Sequence, residues 1–438
     1  MNISELKQNV DLKVSGKEMH EWMLRLYPIC RSITGNGVRK TLDILGAYLP
    51  LTVREIPSGT PVFDWTVPKE WNIQDAFIKD SRGNRIVDFK ASNLCVVGYS
   101  SPIHQRMSLE ELKPFLHTLP DHPDWIPYRT SYYDDNWGFC VSHRQLMKFK
   151  DDEAYDVCID SVLEDGHLTY GEYNLQGQCS DEVLLSCHIC HPSLCNDNLS
   201  GIVLLTMLGK LLQQVSLRHS YRFLFIPGTI GSITWLALNE ASASKIKYGL
   251  VAACVGDAGQ ITYKRSRQDN AQIDLIVEHV LKESGDPYDI KSFIPYGYDE
   301  RQYCSPGFNL PVGCLQRTSY GDYPEYHTSA DDSDFVRPES LQDSLYKYIS
   351  VFNIIENNKT LINTNPKCEP QLGKRGLYKA IGGQGETLES QMAMLWTLNL
   401  SDGEHSLLEI SEKSKIRFDL IKKIADILTA ENLLKECS

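Results

Sequence analysis

The chain has no leader-like start: Met1 to Val14 mixes charged and apolar residues, with no cationic segment followed by an apolar one. It also lacks any uninterrupted apolar stretch of the roughly 20 residues that span a bilayer. Both absences set the expectation of a cytoplasmic protein with no membrane partner. Positive charge is scarce: Lys and Arg number 44 against 57 Asp and Glu, a formal net charge of -13. An acidic surface repels phosphate, so wholesale nucleic-acid binding is not expected. A second Cys-x-x-Cys pair is missing as well. Of 13 cysteines, Cys187, Cys190 and Cys195 come closest to a thiolate zinc cluster. Cys187 lies in an apolar run, however, and buried reduced thiols fit better. Internal repeats and low-complexity segments are absent. What is present is ordinary globular composition, 42% hydrophobic and 23% charged over 438 residues, enough for two or three domains.

The most informative stretch runs from Ser186 to Gly201. A short apolar run, Val183 to Ser186, delivers His188 to its end, and Asp197, flanked by Asn196 and Asn198, follows nine positions later. Ser200 and Gly201 then open an amphipathic helix with Ile202, Leu205, Leu208, Leu211 and Leu212 at helical spacing. A neutral imidazole and a carboxylate at strand and helix ends suit a cation such as zinc. The alternative is a polar loop in which Asn196 or Asp197 caps the helix. His191, before Pro192, reads as a turn histidine rather than a ligand.

Texture divides the chain. Gly16 to Leu49 reads as two helices interrupted by the turn-rich segment Ile33 to Gly37. A β-rich region, 51–176, is dense in aromatics, prolines and short alternating runs. Beyond Gln178, the apolar runs 183–186, 221–226, 249–255 and 311–315 alternate with helical patterns, which implies a largely parallel sheet covered on both faces. Ligands of such sheets gather at the carboxyl ends of strands, where His188 and Asp257 both fall. After Asn365-Pro366 comes a short helix (Leu407 to Ser414), a turn, a longer helix (Phe418 to Leu428) and a candidate wing at Leu433 and Leu434. The expected domains are therefore 1–50 with 177–365, an insert at 51–176, and a winged helix at 366–438.

Three further motifs follow the first: Val255-Gly256-Asp257, Gly297-Tyr298-Asp299 with Gly307 and Pro311 behind it, and Glu325-Tyr326-His327-Thr328-Ser329 with Asp331 just after. In this order they resemble the zinc aminopeptidases, whose ligands run His, bridging Asp, Glu, Asp, His. The resemblance implies His188, Asp197, Asp257 and His327 as metal ligands. The chain is similar over nearly its whole length to the DUF4910 aminopeptidase-like family, through Cys190-His191-Pro192, Asp197 to Gly201, Thr229 to Ser232, Glu325 to Ser329 and Leu398 to Asp402. That likeness implies a mixed, mostly parallel α/β sheet flanked by helices, a β-rich insert of DUF2172 type, a C-terminal winged helix and a link to polysaccharide biosynthesis.

The departures from the resemblance bear on chemistry. Zinc aminopeptidases carry consecutive glutamates, a general base and a ligand, where this chain has Gly228 and Thr229. One zinc on His188, Asp197 and Asp257 is then expected, with a second site of Asp197 and His327 weak or absent. Cys190 also replaces the aspartate that orients the first histidine in that family. Glu300 and Glu325 are the candidates to supply a base, although Glu300 could instead pair with Arg301 and Glu325 lie at the surface. Arg265, in a basic patch, is expected to contact substrate together with Asp299 and Arg301. Acids interleave the lysines of the winged helix, so it reads as a protein-contact or dimerising module rather than a DNA reader. The resulting expectation is a hydrolase of a small peptide or aminoacyl amide. Its competitors are a catalytically silent binding protein of the same fold and a winged-helix regulator that senses a ligand.

Overall fold

A computed structural model describes residues 1–377 and 388–437. It divides into one unit of Met1–Asp274 with Pro287–Tyr346 and a second of Leu275–Asp286 with Lys347–Ser438.

The first unit is built on eight strands: β1 (Thr52–Pro57), β2 (His167–Leu175), β3 (Glu182–His188), β4 (Ser220–Ile226), β5 (Ile246–Ala252), β6 (Ile261–Lys264), β7 (Tyr288–Lys291) and β8 (Val312–Gln316). Their order across the sheet is β1-β2-β4-β3-β5-β8-β6-β7. The middle strands β4, β3, β5 and β8 are parallel neighbours. Every residue of β3 and β4 is buried, as expected of strands covered on both faces. The helix Gly201–Leu212 is one of the covers, and its whole length from Gly201 to Gly209 is buried.

The flanks differ from the parallel pattern. β2 runs antiparallel to β4, and β6 antiparallel to β8. β6 and β7 are four residues each and carry Lys, Thr and Asp, so no apolar run marks them in the sequence.

β1 and β2 fall inside the range 51–176 but belong to this central sheet, with Leu168 and Tyr170 of β2 in its core. Between them the chain forms a separate four-stranded antiparallel sheet, in the order Arg85–Asp88, Glu70–Lys79, Ala154–Glu164, Ile103–Ser108. Its own core includes Ala76, Ile78, Val157, Ile159 and Phe139. The start of this insert is tied down by Arg39 of the helix Asn36–Gly46, whose guanidinium donates to both oxygens of Glu70 at 2.6 and 2.7 Å and to Glu55 at 2.6 Å. Such fork-on-carboxylate pairs fix orientation as well as adding energy.

In the second unit, helices Leu407–Ser414 and Phe418–Ala430 pack through Leu407, Leu408, Ile410, Phe418, Ile421, Ile424 and Leu428. Ser406 and Glu409 form a capping box at the start of the first. The strand Leu434–Glu436 pairs with Thr360–Asn363, which pairs in turn with Asp402–Ser406. This three-stranded sheet starts before residue 366, because Thr360–Asn363 is its central strand. The unit also contains His279, whose imidazole is paired with Glu283 and Glu412. All 13 cysteines are free thiols. Among the described residues no helix is long and apolar enough to cross a membrane.

Candidate metal and active site

The parallel strands bring their carboxyl ends to one edge of the sheet, and the site is assembled there. His188 is the last residue of β3, in register with Ile226 of β4, and the next amide, Ile189, donates to the Ile226 carbonyl at 3.0 Å. Asp197 lies in the segment Cys195–Ser200, where its φ of -111° and ψ of 81° are non-helical. That segment is held from below. Asp331 accepts the Asn196 and Asp197 amides at 2.5 and 2.9 Å. The Asn198 side chain accepts from Gly201 and Cys254 and donates to the Ala252 carbonyl. With the Asn198 amide so oriented, its nitrogen faces His188 Nδ1 at 3.3 Å, and Nε2 is left to meet Asp197.

Three imidazoles converge on Asp197, which is fully buried. His188 Nε2 lies 2.8 Å from Oδ1. His327 Nε2 lies 2.9 Å from the other oxygen, Oδ2, and His191 Nε2 lies 3.8 Å from that same Oδ2. Ligand atoms of His188, His191 and Asp197 all fall within 4.8 Å of one another. Burial disfavours the Asp197 charge, but His188, by charge and hydrogen bond, and the hydrogen bond to His327 more than offset it and hold this carboxyl well below the usual range. For His191 the balance is opposite. Burial outweighs the attraction of Asp197 and pushes its pKa well below that of an ordinary imidazole, so the ring is kept neutral. Its Nδ1 is taken by the Cys190 sulfur at 3.2 Å, which leaves Nε2 facing Asp197 at a separation too long for a hydrogen bond.

This donor set fits a metal ion. Zinc sits about 2.0–2.2 Å from nitrogen and oxygen ligands, so two atoms sharing it lie somewhat over 3 Å apart, close to the His191–Asp197 separation. His188, His191 and Asp197 form the compact donor group, and His327 meets the same carboxylate on Oδ2. Second-tier contacts hold the ligands in place, as metal sites require: Tyr128 stands edge-on to His327, the two ring centroids 5.1 Å apart, and its backbone amide donates to the His327 carbonyl at 2.7 Å. Tyr326 stacks on His327 at 3.9 Å.

Several expected site residues lie elsewhere. Asp257 is outside the cluster. β5 ends at Ala252 and Cys254 turns the chain with φ of 50°, so the Asp257 oxygens are taken by Asn196 Nδ2, Gly259 N, Thr318 N and Thr318 Oγ1 at 2.6–3.2 Å. It braces the loop that carries Asp197 instead of joining the ligands. Glu300 is fully buried, its Oε1 accepts from Lys264 at 2.7 Å and its Oε2 has no hydrogen-bond partner, but it does not line the cleft. Glu325 is half-buried and presents its carbonyl to Thr328; Tyr326 lines the cleft in its place. Arg265 turns back on its own loop, donating to the Asp269 carbonyl at 2.5 Å. Arg301 does not line the cleft and touches it through Thr229 Oγ1 at 3.1 Å. Asp299 does line the cleft. Lys264, beside Arg265 in the basic patch, is 3% exposed.

The cleft beside the metal cluster has a volume of about 300 Å³. Its floor is His188, Cys190, His191, Gly228, Thr229 and Asp299. One wall comes from the β-rich insert, as Trp65, Tyr132 and Tyr133, and another is Tyr298, which stacks on His188 with ring centroids 5.3 Å apart. Sequence patterns do not reveal that the insert builds part of the site. His191 had one available signal, its position three residues after His188 at a strand end.

The fold is similar to that of the zinc aminopeptidases. A zinc aminopeptidase from Bacillus subtilis superposes with a TM-score of 0.55 at 12% identity, covering 77% of this chain and 94% of the other. A peptidase M28 precursor from Shewanella amazonensis gives 0.55 at 14% identity, covering 81% and 95%. The chain belongs to the DUF4910 family, described as a domain of unknown function, which matches residues 20–358; a winged helix-turn-helix family matches residues 359–436. A Clostridium acetobutylicum protein named for polysaccharide biosynthesis and an aminopeptidase-like domain is 54% identical over 421 residues, 96% of each chain. A crystal structure of a candidate peptidase from the same organism, at 2.37 Å resolution, has a TM-score of 0.94 and 51% identity over the full length of both chains.

Proposed function

We propose that this protein is a zinc-dependent hydrolase that cleaves an amide in a small peptide or an aminoacyl-bearing molecule. The observation that carries the reading is the pair of imidazoles, His191 and His327, set on one oxygen of a buried carboxylate, with His191 held neutral by burial. When bound there, zinc would polarise a carbonyl and lower the pKa of water. The protein's own groups do the rest. His188 fixes the far oxygen of Asp197, Tyr128 and Tyr326 hold His327, and the aromatic walls bound a cleft sized for one small group. Trp65, Tyr132 and Tyr133 present ring faces suited to an apolar side chain or the C–H face of a sugar. A saccharide-linked amide also agrees with the name of the Clostridium relative.

A silent binding protein is the second reading, favoured by Gly228, which has no side chain to act as a base. Turnover separates the two. Full-length protein loaded with zinc should hydrolyse at least one member of a panel of aminoacyl amides and aminoacylated amino sugars, and chelation should stop it. Tight binding of panel members with no turnover of any would leave the binding reading standing.

A further inference from the structure

We infer that Asp299 is the catalytic residue that takes and returns a proton in this cleft, in the role left vacant at Gly228; this rests on the hydrolase reading above.

Neither packing nor backbone demands glycine at 228. An added Cβ there would sit 3.4 Å from Cys190 Sγ and from His188 Cβ, ordinary contact distances. The missing side chain opens the floor of the cleft, and Asp299 lines that same floor. Its Oδ1 is fixed by two donors, Thr229 N at 2.7 Å and Ser232 Oγ at 3.0 Å. Thr229 delivers that amide from φ of 67°, a conformation strained for a β-branched residue and of the kind that collects at functional sites. The other oxygen, Oδ2, has no hydrogen-bond partner although Asp299 is only 1% exposed. An unsatisfied buried carboxylate oxygen is expensive and calls for an explanation.

No cation consumes the charge. Lys264 is taken by Glu300, and Arg301 donates to the Thr229 hydroxyl. Burial pushes the Asp299 carboxyl above the ordinary aspartate value, against the pull of His188, the Thr229 amide, the Ser232 hydroxyl and Arg301. The other titratable groups around it are Glu300, Cys187, Cys190 and Tyr303, and burial raises the pKa of all four. Asp299 therefore combines a fixed orientation, an open oxygen and raised basicity, the properties of a general base.

In the step assigned to it, Oδ2 accepts a proton from water as the water oxygen bonds to the amide carbon. The C–N bond then breaks, the proton passes from Asp299 to the departing nitrogen, and the carboxylate is restored. One water is consumed, and a carboxylic acid and an amine are released.

The test is Asp299→Asn in the full-length, zinc-loaded protein, since the amide can still accept from Thr229 and Ser232. On an aminoacyl amide that the wild type cleaves, kcat should fall by about 10²- to 10⁴-fold, with KM and zinc content nearly unchanged and the acidic limb of the kcat–pH profile lost. A raised KM with kcat preserved would make Asp299 an anchor for the substrate amine and overturn the assignment. A second readout needs no turnover. An infrared titration of wild type minus Asp299→Asn should show a carboxyl that protonates above the ordinary aspartate value of about 3.9. Protonation at or below that value overturns the assignment. If the wild type cleaves no amide, the hydrolase reading fails, and the infrared titration still decides whether Asp299 holds a proton.

Discussion

At the scale of single residues, the site turns on what each side chain has left to give once its neighbours are satisfied. Asp257, Glu300 and Arg265 are the right residue types in the right motifs, yet none of them lines the cleft. Asp257 takes donors from Asn196, Gly259 and Thr318, Glu300 gives one oxygen to Lys264, and Arg265 takes its own loop. His191 and Asp299 do line it, each with an atom that no hydrogen bond claims. This distinction predicts the behaviour of a restored carboxylate at 228. Gly228→Glu should do little for the wild-type rate, because Asp299 already acts, but in the Asp299→Asn background it should recover at least about tenfold of the lost kcat, a fraction of what a general base contributes. A large gain in the wild-type background with none in the double variant would return the base to position 228. A histidine at a strand end and an aspartate before a helix leave local patterns at His188 and Asp197, whereas His327 is reached only through the family resemblance. The openness of Asp299 Oδ2 leaves none, because it depends on Thr229 and Ser232, some 70 positions away.

Among the elements, the buried middle strands and the helix Gly201–Leu212 were readable as apolar runs and helical spacing. β6 and β7 were not, since short half-polar strands look like loops. The insert was legible as β-rich, but its sharing of β1 and β2 with the central sheet was not, because pairing between residues 46 to 120 positions apart leaves no local trace. The junction has a measurable signature. Arg39 first, then the His167 amide and Asn72, hold the Glu70 carboxyl down at about 2, against burial. A folded-state pKa below the unfolded one means the stabilisation is complete above the unfolded value of about 4.3. It is lost as pH falls from there towards 2. Urea midpoints of wild type and Glu70→Gln should therefore differ most at neutral pH and converge as pH drops through this window. A gap that persists undiminished at pH 2 would show that the pair does not act through charge.

For the whole molecule, the DUF4910 unit carries a cluster of donors suited to a metal. Sequence resemblance favours the set His188, Asp197 and Asp257, whereas the structure groups His188, His191 and Asp197, with His327 Nε2 on the same carboxylate. The exchange has a physical basis. The chain leaves β5 through a left-handed turn at Cys254, which takes Asp257 away, while the Cys190-His191-Pro192 turn brings a half-buried imidazole in. The most direct measurement of this claim is the zinc content of intact protein after dialysis, for wild type, His191→Ala and Asp257→Asn, with folding checked by circular dichroism. The account predicts close to one zinc per chain in the wild type, its loss in His191→Ala, and its retention in Asp257→Asn. Retention in folded His191→Ala together with loss in folded Asp257→Asn, or two tightly held zinc ions in the wild type, would contradict it.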